Sequence, residues 1–130
     1  MEKLVKVFKA LSDETRLNIL LLVSKRSVCQ KGISKYLGIS DSAVSQHIKV
    51  LKEANIIIAY KQGYYVMYEL NEKVLEEAIG FINLLIHKNT DLISNEYNFN
   101  IEEVNTARCK RGCKSMKGCC KNKIESVKLI

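Results

Sequence analysis

The chain has 130 residues and a formal net charge of +7, and this length suits one domain with a modest core. It contains no apolar run long enough to span a membrane and no recognisable secretory signal. Four of its five cysteines lie in the last 22 residues, a clustered and odd-numbered set that argues against a secreted disulfide scaffold and favours free thiols in a reducing cytoplasm.

Positive charge is concentrated near the end of the sequence. Residues 106–130 carry eight basic side chains and one acidic side chain, whereas residues 1–105 carry 13 of each. Because positive and negative charges balance in residues 1–105, overall charge does not indicate a nucleic-acid partner. Such a partner can be inferred only from motifs and fold.

Two helices are predicted at the start of the chain. Residues 1–11 form the first, with one apolar side made by Leu4, Val7, Phe8 and Leu11. Ser12 is predicted to cap the second helix, whose first turn carries acidic residues where the helix dipole favours anions. Apolar residues cover most of this second helix, which predicts a central position. Its Arg16 could reach either a phosphate or a surface ion-pair partner.

The stretch from Ile33 to Lys52 is typical of two short helices that meet at a sharp turn. Helical spacing predicts one apolar side on the first of them, made by Ile33, Tyr36 and Leu37. Gly38 favours the left-handed conformation that ends the first helix, and the residues after it offer N-cap side chains for the second: Ser40, Asp41 and Ser42. Spacing at i, i+4 and i+7 predicts a buried stripe made of Val44, Ile48 and Leu51. The opposite face is hydrogen-bonding and carries little charge: Ser42, Ser45, Gln46 and Lys49. Such a face suits a helix in the major groove of DNA, although an αα-hairpin with a polar outer face gives the same pattern.

Residues 55–70 change to the character of strands. A β-branched run is followed by alternation through Tyr64, Val66 and Tyr68, and a short turn at Lys61-Gln62-Gly63 separates the two. Glycine stands there because a tight hairpin turn requires a positive φ. A helix-turn-helix followed directly by a basic-tipped hairpin predicts a winged helix, whose tip can touch the DNA backbone beside the groove.

Two motifs carry a resemblance to a known family. They are Ala-Leu-Ser-Asp-Glu-Thr-Arg at residues 10–16 and Ser-Ala-Val-Ser-Gln-His at residues 42–47. With their surroundings they resemble the ArsR/SmtB family of metal-responsive bacterial repressors. The resemblance implies a mainly α fold with a small β-hairpin, a winged helix-turn-helix that dimerises through its N-terminal and long C-terminal helices, and a regulator instead of an enzyme.

DNA contacts are expected from the second helix of the motif and from the hairpin. The side chains expected at base edges are Ser42, Ser45, Gln46 and His47. Those expected near phosphates are Lys49, Lys61, Gln62 and Tyr64. The partner is expected to be double-stranded DNA with an inverted repeat, because a dimer presents two recognition helices.

A long apolar helix is predicted after Asn71, reaching Ile86. Its apolar surface exceeds what a small domain covers with its own body, so we predict a homodimer interface shared with the first helix. Closure of the core within one monomer is the alternative. Residues 1–88 are thus predicted as a DNA-binding and dimerisation domain, and residues 89–130 as a linker followed by a basic, cysteine-rich tail.

The metal sites of the resembled family are only partly matched. In its Cys-Val-Cys arrangement before the recognition helix, Cys29 is present but the second position is Lys31, so Cys29 is expected to be a small buried apolar residue. The family's site on the last helix lacks its paired spacing here, where that helix offers Glu76, Glu77 and His87.

A compact group of thiols near the end of the chain offers a different site. It consists of Cys109, Cys113, Cys119 and Cys120. Adjacent cysteines fit a closed tetrahedral zinc site poorly and suit trigonal binding of arsenite, antimonite or Cu(I), with Zn(II) or Cd(II) as weaker candidates. We therefore expect a DNA-binding repressor that such an ion releases from its operator. The alternatives are a thiol-redox switch and a tail whose thiols have no specific role.

Overall fold

The computed structural model describes residues 1–87, which form five helices and one three-stranded antiparallel sheet. The helices are α1 (Glu2–Leu11), α2 (Glu14–Lys25), α3 (Gln30–Leu37), α4 (Asp41–Glu53) and α5 (Glu72–His87), and the strands are β1 (Val28–Cys29), β2 (Ile57–Gln62) and β3 (Tyr65–Leu70). In the sheet, β3 lies between β1 and β2. No helix of this described part is both long and apolar enough to cross a membrane. The predicted linker and tail, residues 89–130, lie outside the described residues.

α2 lies at the centre of the fold, as its apolar sequence predicts. It contacts α1, α3, α4 and β3, and its buried residues Ile19, Leu22 and Val23 belong to one continuous core. Leu17 and Leu21 stay exposed. Within residues 1–87, the apolar surface of α2 is therefore only partly buried.

The helix-turn-helix is built by local hydrogen bonds. Gly38 has a φ of 67°, and its N–H and that of Ile39 both donate to the Ser34 carbonyl, at 2.9 and 3.2 Å. The Ser40 hydroxyl then accepts from the N–H of Ala43 at 3.1 Å and so caps α4. The predicted roles of Gly38 and Ser40 are confirmed, because each meets a backbone requirement that is local in sequence.

The junction between α1 and α2 differs from the prediction by one residue. Asp13, not Ser12, is the N-cap of α2, and its carboxylate accepts from the N–H of Arg16 at 3.0 Å. Ser12 instead ends α1, where its hydroxyl donates to the Lys9 carbonyl at 2.7 Å. Both side chains can cap a helix, and the two-residue connection assigns one to each helix end.

The hairpin turn also lies further along than predicted. β2 continues through Lys61 and Gln62, and the two-residue turn consists of Gly63 and Tyr64. Gly63, with a φ of 64°, stands at the first central position, where a type II′ hairpin turn requires glycine. The third strand, β1, is a two-residue segment that the sequence analysis missed, and its Val28 pairs with Tyr68 of β3.

Two asparagines fasten the hairpin to the end of α4. Asn55 follows α4 with a φ of 58°, and the next N–H, from Ile56, donates back to the Leu51 carbonyl at 3.0 Å. This is the left-handed ending that asparagine tolerates. Asn71 donates from its side-chain amide to the Asn55 carbonyl at 2.9 Å and from its backbone to the Ile56 carbonyl at 2.8 Å. The hairpin therefore leaves α4 at a defined angle.

α5 follows the hairpin and packs on α1. The rings of Phe8 and Phe81 lie 5.9 Å apart between centroids, and Ala78 and Leu84 are the buried residues of the helix. A large apolar remainder is exposed in this single chain: Ile79, Ile82, Leu85 and Ile86.

Candidate nucleic-acid interface

One face of α4 is packed and the opposite face is open. Val44, Ile48 and Leu51 lie in the core, each at most 3% exposed, as their spacing predicts. Four of the predicted DNA-contact residues occur together on the exposed face: Ser42, Ser45, Gln46 and Lys49. Small hydrogen-bonding side chains and one lysine therefore lie along the exposed face of α4, and the buried residues on the opposite face anchor the helix in the core.

Asp41 ties the first turn of α4 to α3. Its carboxylate accepts from the Ser34 hydroxyl at 2.6 Å, and its carbonyl accepts from the side-chain amide of Gln30 at 3.1 Å. The Ser42 hydroxyl lies 3.3 Å from that of Ser40. The N-terminal end of α4, which enters the groove first in helix-turn-helix proteins, is therefore held by side chains of α3 and of the turn.

The tip of the hairpin presents three more of the predicted residues to solvent. Lys61 and Gln62 end β2, Tyr64 lies in the turn, and all three are exposed. Cross-strand pairing of Lys61 with Val66 and of Gln62 with Tyr65 places these two β2 side chains on opposite faces of the hairpin. Tyr65, also exposed, is a second aromatic side chain at the tip that the sequence analysis did not select. Its adjacency to Tyr64 beside a glycine turn is the signal that could have found it.

His47 is placed differently from its neighbours on α4. Its side chain is 24% exposed, and its Nδ1 lies 3.8 Å from the carboxylate of Asp13 and 3.4 Å from Nη1 of Arg16. From the sequence, this ring is predicted to lie at a base edge. The structure brings it to the start of α2, away from the set formed by Ser42, Ser45, Gln46 and Lys49.

Arg16 contacts neighbouring groups of the chain itself. Its Nε donates to the Ala10 carbonyl at 2.7 Å and its Nη2 to the Lys9 carbonyl at 3.2 Å. The backbone hydrogen bond from Arg16 is the main cause that holds the pKa of Asp13 below its ordinary value. Partial burial opposes the shift, and the charges of Arg16 and His47 add to it. Asp13 is therefore a carboxylate at neutral pH.

On α3, one residue of the predicted apolar side is exposed. Tyr36, placed by its spacing on the apolar side of the helix with Ile33, is 70% exposed, while Ile33 is fully buried. Tyr36 and Lys35 line an open cleft together with Arg26. A helix of eight residues has room for a narrow buried stripe, and the tyrosine lies outside it.

The candidate metal ligands are distributed between described and undescribed parts of the chain. Cys29 is half-buried in β1, opposite Met67 of β3, just before α3; it was expected to be fully buried. Within residues 1–87, no three His, Cys, Asp or Glu side chains form a group that could hold a metal ion. The predicted thiol site lies outside the described residues: Cys109, Cys113, Cys119 and Cys120.

Comparison with known proteins places this geometry in a family. A family model described as bacterial regulatory protein, arsR family, matches residues 13–59, from the cap of α2 into β2. The transcriptional repressor SdpR of Bacillus subtilis is 35% identical over 82 residues, which cover 63% of this chain and 91% of SdpR. The arsenical resistance operon repressor of Escherichia coli is 34% identical over 82 residues, which cover 57% of this chain and 70% of that repressor.

A solved structure shows the same fold at lower identity. It is a homodimeric winged helix-turn-helix DNA-binding domain from Mycobacterium bovis, with a TM-score of 0.55 and 21% identity, and the match covers 68% of this chain and 82% of that chain. The shared fold, together with sequence similarity along most of two bacterial repressors, shows that this chain belongs to the ArsR family of bacterial transcriptional regulators.

Proposed function

We propose that this protein is a cytoplasmic, homodimeric repressor that binds an inverted repeat in double-stranded DNA and is released by a soft metal or metalloid ion. The observation that carries the DNA-binding part is the exposed face of α4, whose opposite side lies in the core, together with the exposed tip of the hairpin that follows α4 in the chain. Membership of a family of transcriptional regulators supports this use of the surface.

The proposed contacts divide into two groups by their chemistry. Ser42, Ser45 and Gln46 offer short donors and acceptors suited to base edges in the major groove. Lys49 and the hairpin residues Lys61, Gln62 and Tyr64 offer a charge and hydrogen bonds suited to phosphates, which fix register without reading sequence.

Dimerisation is supported by the apolar surface that α5 leaves exposed. Ile79, Ile82, Leu85 and Ile86 lie on the helix that packs against α1, and Val5 of α1 is exposed as well. Contiguous apolar surface of this kind is typical of a protein interface, and a second copy of the chain is the occupant that a two-fold symmetric operator requires.

The proposed inducer is an ion that prefers thiolate ligands. Cys109, Cys113, Cys119 and Cys120 supply soft donors within twelve residues, and the neighbouring Lys and Arg side chains favour the thiolate form that binds such ions. Similarity to a repressor of an arsenical resistance operon supports arsenite or antimonite, and Cu(I) suits the same donors. A difference in ion affinity between the DNA-bound and free dimers of about 1–3 kcal/mol corresponds to a 5- to 150-fold loss of operator affinity.

The proposal is tested by selecting DNA with the purified full chain. Duplexes with a random region of about 30 base pairs hold two half-sites one helical turn apart, so repeated selection should enrich an inverted repeat. Enrichment of no sequence, or of single half-sites only, would contradict the proposal. The enriched duplex, here called the selected duplex, then serves as the probe for every binding measurement below.

Release is tested separately on the selected duplex. Anaerobic addition of arsenite, antimonite, Cu(I), Cd(II) or Zn(II), each alone and in the presence of a monothiol reductant, should release the duplex for at least one soft ion. Release by an oxidant that reductant reverses, with no response to any ion, would instead support the thiol-redox alternative.

A further inference from the structure

The side chain of Arg16 on α2 contacts two other helices, α1 and α4. Arg16 of α2 donates from Nε to the Ala10 carbonyl at 2.7 Å and from Nη2 to the Lys9 carbonyl at 3.2 Å, both at the end of α1. Its remaining arm, Nη1, lies 3.4 Å from Nδ1 of His47 on α4. The guanidinium therefore contacts the helix proposed for dimerisation and the helix proposed for DNA recognition at once.

The end of α1 determines where this guanidinium lies. The last carbonyls of a helix lack intrahelical partners and carry partial negative charge, which favours a cation there. The Lys9 carbonyl also accepts from the hydroxyl and the backbone N–H of Ser12, at 2.7 and 3.2 Å. Because the guanidinium is a rigid planar fork, two contacts with α1 leave its third arm pointing in one direction only.

His47 meets that third arm with a defined atom. Arginine is always a donor, so the 3.4 Å contact is a hydrogen bond when Nδ1 of His47 carries no proton, and the proton of the neutral ring then lies on Nε2. The carboxylate of Asp13, 3.8 Å from the same nitrogen, carries the opposite charge beside Arg16. The neighbour of His47 toward the N-terminus is Gln46, a proposed base contact, and the neighbour on the other side is Ile48, in the core.

We infer that Arg16 and His47 are positioning residues for DNA binding: the Arg16–His47 contact ties the recognition helix to the end of α1, so that α1 and α4 keep one relative angle. This inference rests on the proposed function, since it takes α4 as the recognition helix. It removes His47 from the base-reading set and gives Arg16 a role inside the protein instead of at a phosphate.

Three substitutions of His47 separate positioning from base reading. Asparagine places an acceptor near the position of Nδ1, glutamine places its polar group near the position of Nε2, and leucine removes both. On the selected duplex, His47→Leu and His47→Gln should lose about tenfold in affinity, the effect of losing a hydrogen bond to a charged group. His47→Asn should restore most of that loss, and base preference should be unchanged in all three.

Arg16→Lys is the matched test at the other end of the contact. It keeps the charge but loses the planar fork, so a positioning role predicts about tenfold weaker binding with an unchanged dependence on salt. In the double variant with His47→Leu the losses should not add, because both substitutions break one contact. Thermal unfolding of each variant, followed by circular dichroism, identifies any that is not folded at the temperature of the binding measurement.

The outcomes decide the inference without deciding the proposed function. Retention of affinity by His47→Gln with loss in His47→Asn, accompanied by relaxed preference at one base pair, would make His47 a base reader. Additive losses, or wild-type affinity in folded Arg16→Lys and His47→Leu, would also overturn the inference. If the wild-type protein selects no inverted repeat, the proposed function fails first, and that result is visible before any variant is made.

Discussion

Adjacent residues on α4 serve different sides of the molecule. Gln46 is exposed, while His47, one position later, is turned toward Asp13 and Arg16. A step of 100° around a helix is enough to move a side chain from the open face to the flank. At the scale of single residues, a position in the Ser42–His47 motif does not by itself place a side chain in the candidate interface. The exposure of that side chain and the groups it contacts decide this.

The two kinds of DNA contact predict different losses. Gln46→Ala should relax discrimination at one or two base pairs by about 1–3 kcal/mol. Lys61→Ala should weaken binding to all sequences alike and lower the slope of log K against log salt by about 1. Both are measured by titrating the selected duplex and single-base variants of it at several salt concentrations. Identical behaviour of the two variants on selected and scrambled DNA would show that the assignment of α4 to the groove is wrong.

Asp13 links the cap of α2 to acid stability. Its pKa lies below the ordinary 3.8 in the folded chain, mainly through the hydrogen bond from the Arg16 N–H. The charged form therefore stabilises the fold at a pH above that ordinary value, and this contribution disappears as the pH falls through the lower folded pKa.

Asp13→Asn keeps an acceptor for the cap and removes the charge. The thermal midpoint of the wild type should exceed that of the variant slightly at pH 6, since solvent screens a partly exposed carboxylate, and the difference should be smaller at pH 3, which lies below the ordinary pKa of 3.8. A difference that grows on acidification would contradict this account. Midpoints are measured by circular dichroism at the two pH values.

At the scale of elements, α5 carries more apolar surface than it buries against residues 1–87. Ala78 and Leu84 are buried and the Phe81 ring packs against Phe8, whereas Ile82 is exposed. An isolated core-closing helix would have little reason to keep so much apolar surface in water. The proposed dimer gives that surface a partner.

Ile82→Asp should convert the protein to monomers that no longer bind the selected duplex while helical content is retained. An aspartate facing its own copy across an apolar interface would be buried unpaired, at a high cost in free energy. Asn83→Asp adds the same charge one position along α5 and is the control, expected to stay dimeric. Sedimentation at micromolar concentration and circular dichroism report the two properties. A monomeric wild type would remove the basis of the prediction.

At the scale of the whole molecule, the charge-balanced part of the chain and the basic cysteine-rich part have separate proposed roles. Binding of an ion by several thiolates orders the segment that carries them. Such ordering can change operator affinity by two routes. In the first, the ion-bound protein favours the form of the dimer that does not bind DNA over the form that does. In the second, basic side chains leave the DNA when the ion binds. Only the second route lowers the salt dependence of DNA binding on addition of the ion.

The double variant Cys119→Ser, Cys120→Ser should bind the selected duplex as tightly as the wild type and should not respond to arsenite or antimonite. Serine is close to cysteine in size but offers no soft donor. Cys29→Ser is the matched control and should respond normally. A full response in the double variant, together with a lost response in the control, would place the sensor at Cys29.

The sequence by itself determined the elements whose causes are local. A left-handed glycine, a capping serine and a stripe at i, i+4 and i+7 predict the helix-turn-helix, because Gly38, Ser40 and Ile48 each satisfy a requirement set within a few residues. The β-branched run and Gly63 predict the hairpin for the same reason. Two motifs sufficed to identify the family, and membership confirms a regulator instead of an enzyme.

Only the tertiary structure decided which groups meet across the fold. β1 is too short to show a period, and it is a strand because Val28 pairs with Tyr68, forty residues away. Tyr36 matched an apolar pattern yet is exposed, since no other element within residues 1–87 covers that side of α3. The contact of Arg16 with His47 joins residues 31 positions apart. Such pairings depend on how the helices pack against one another. Because the free energy that favours this packing is spread over the whole core, no local pattern in the sequence predicts the pairings.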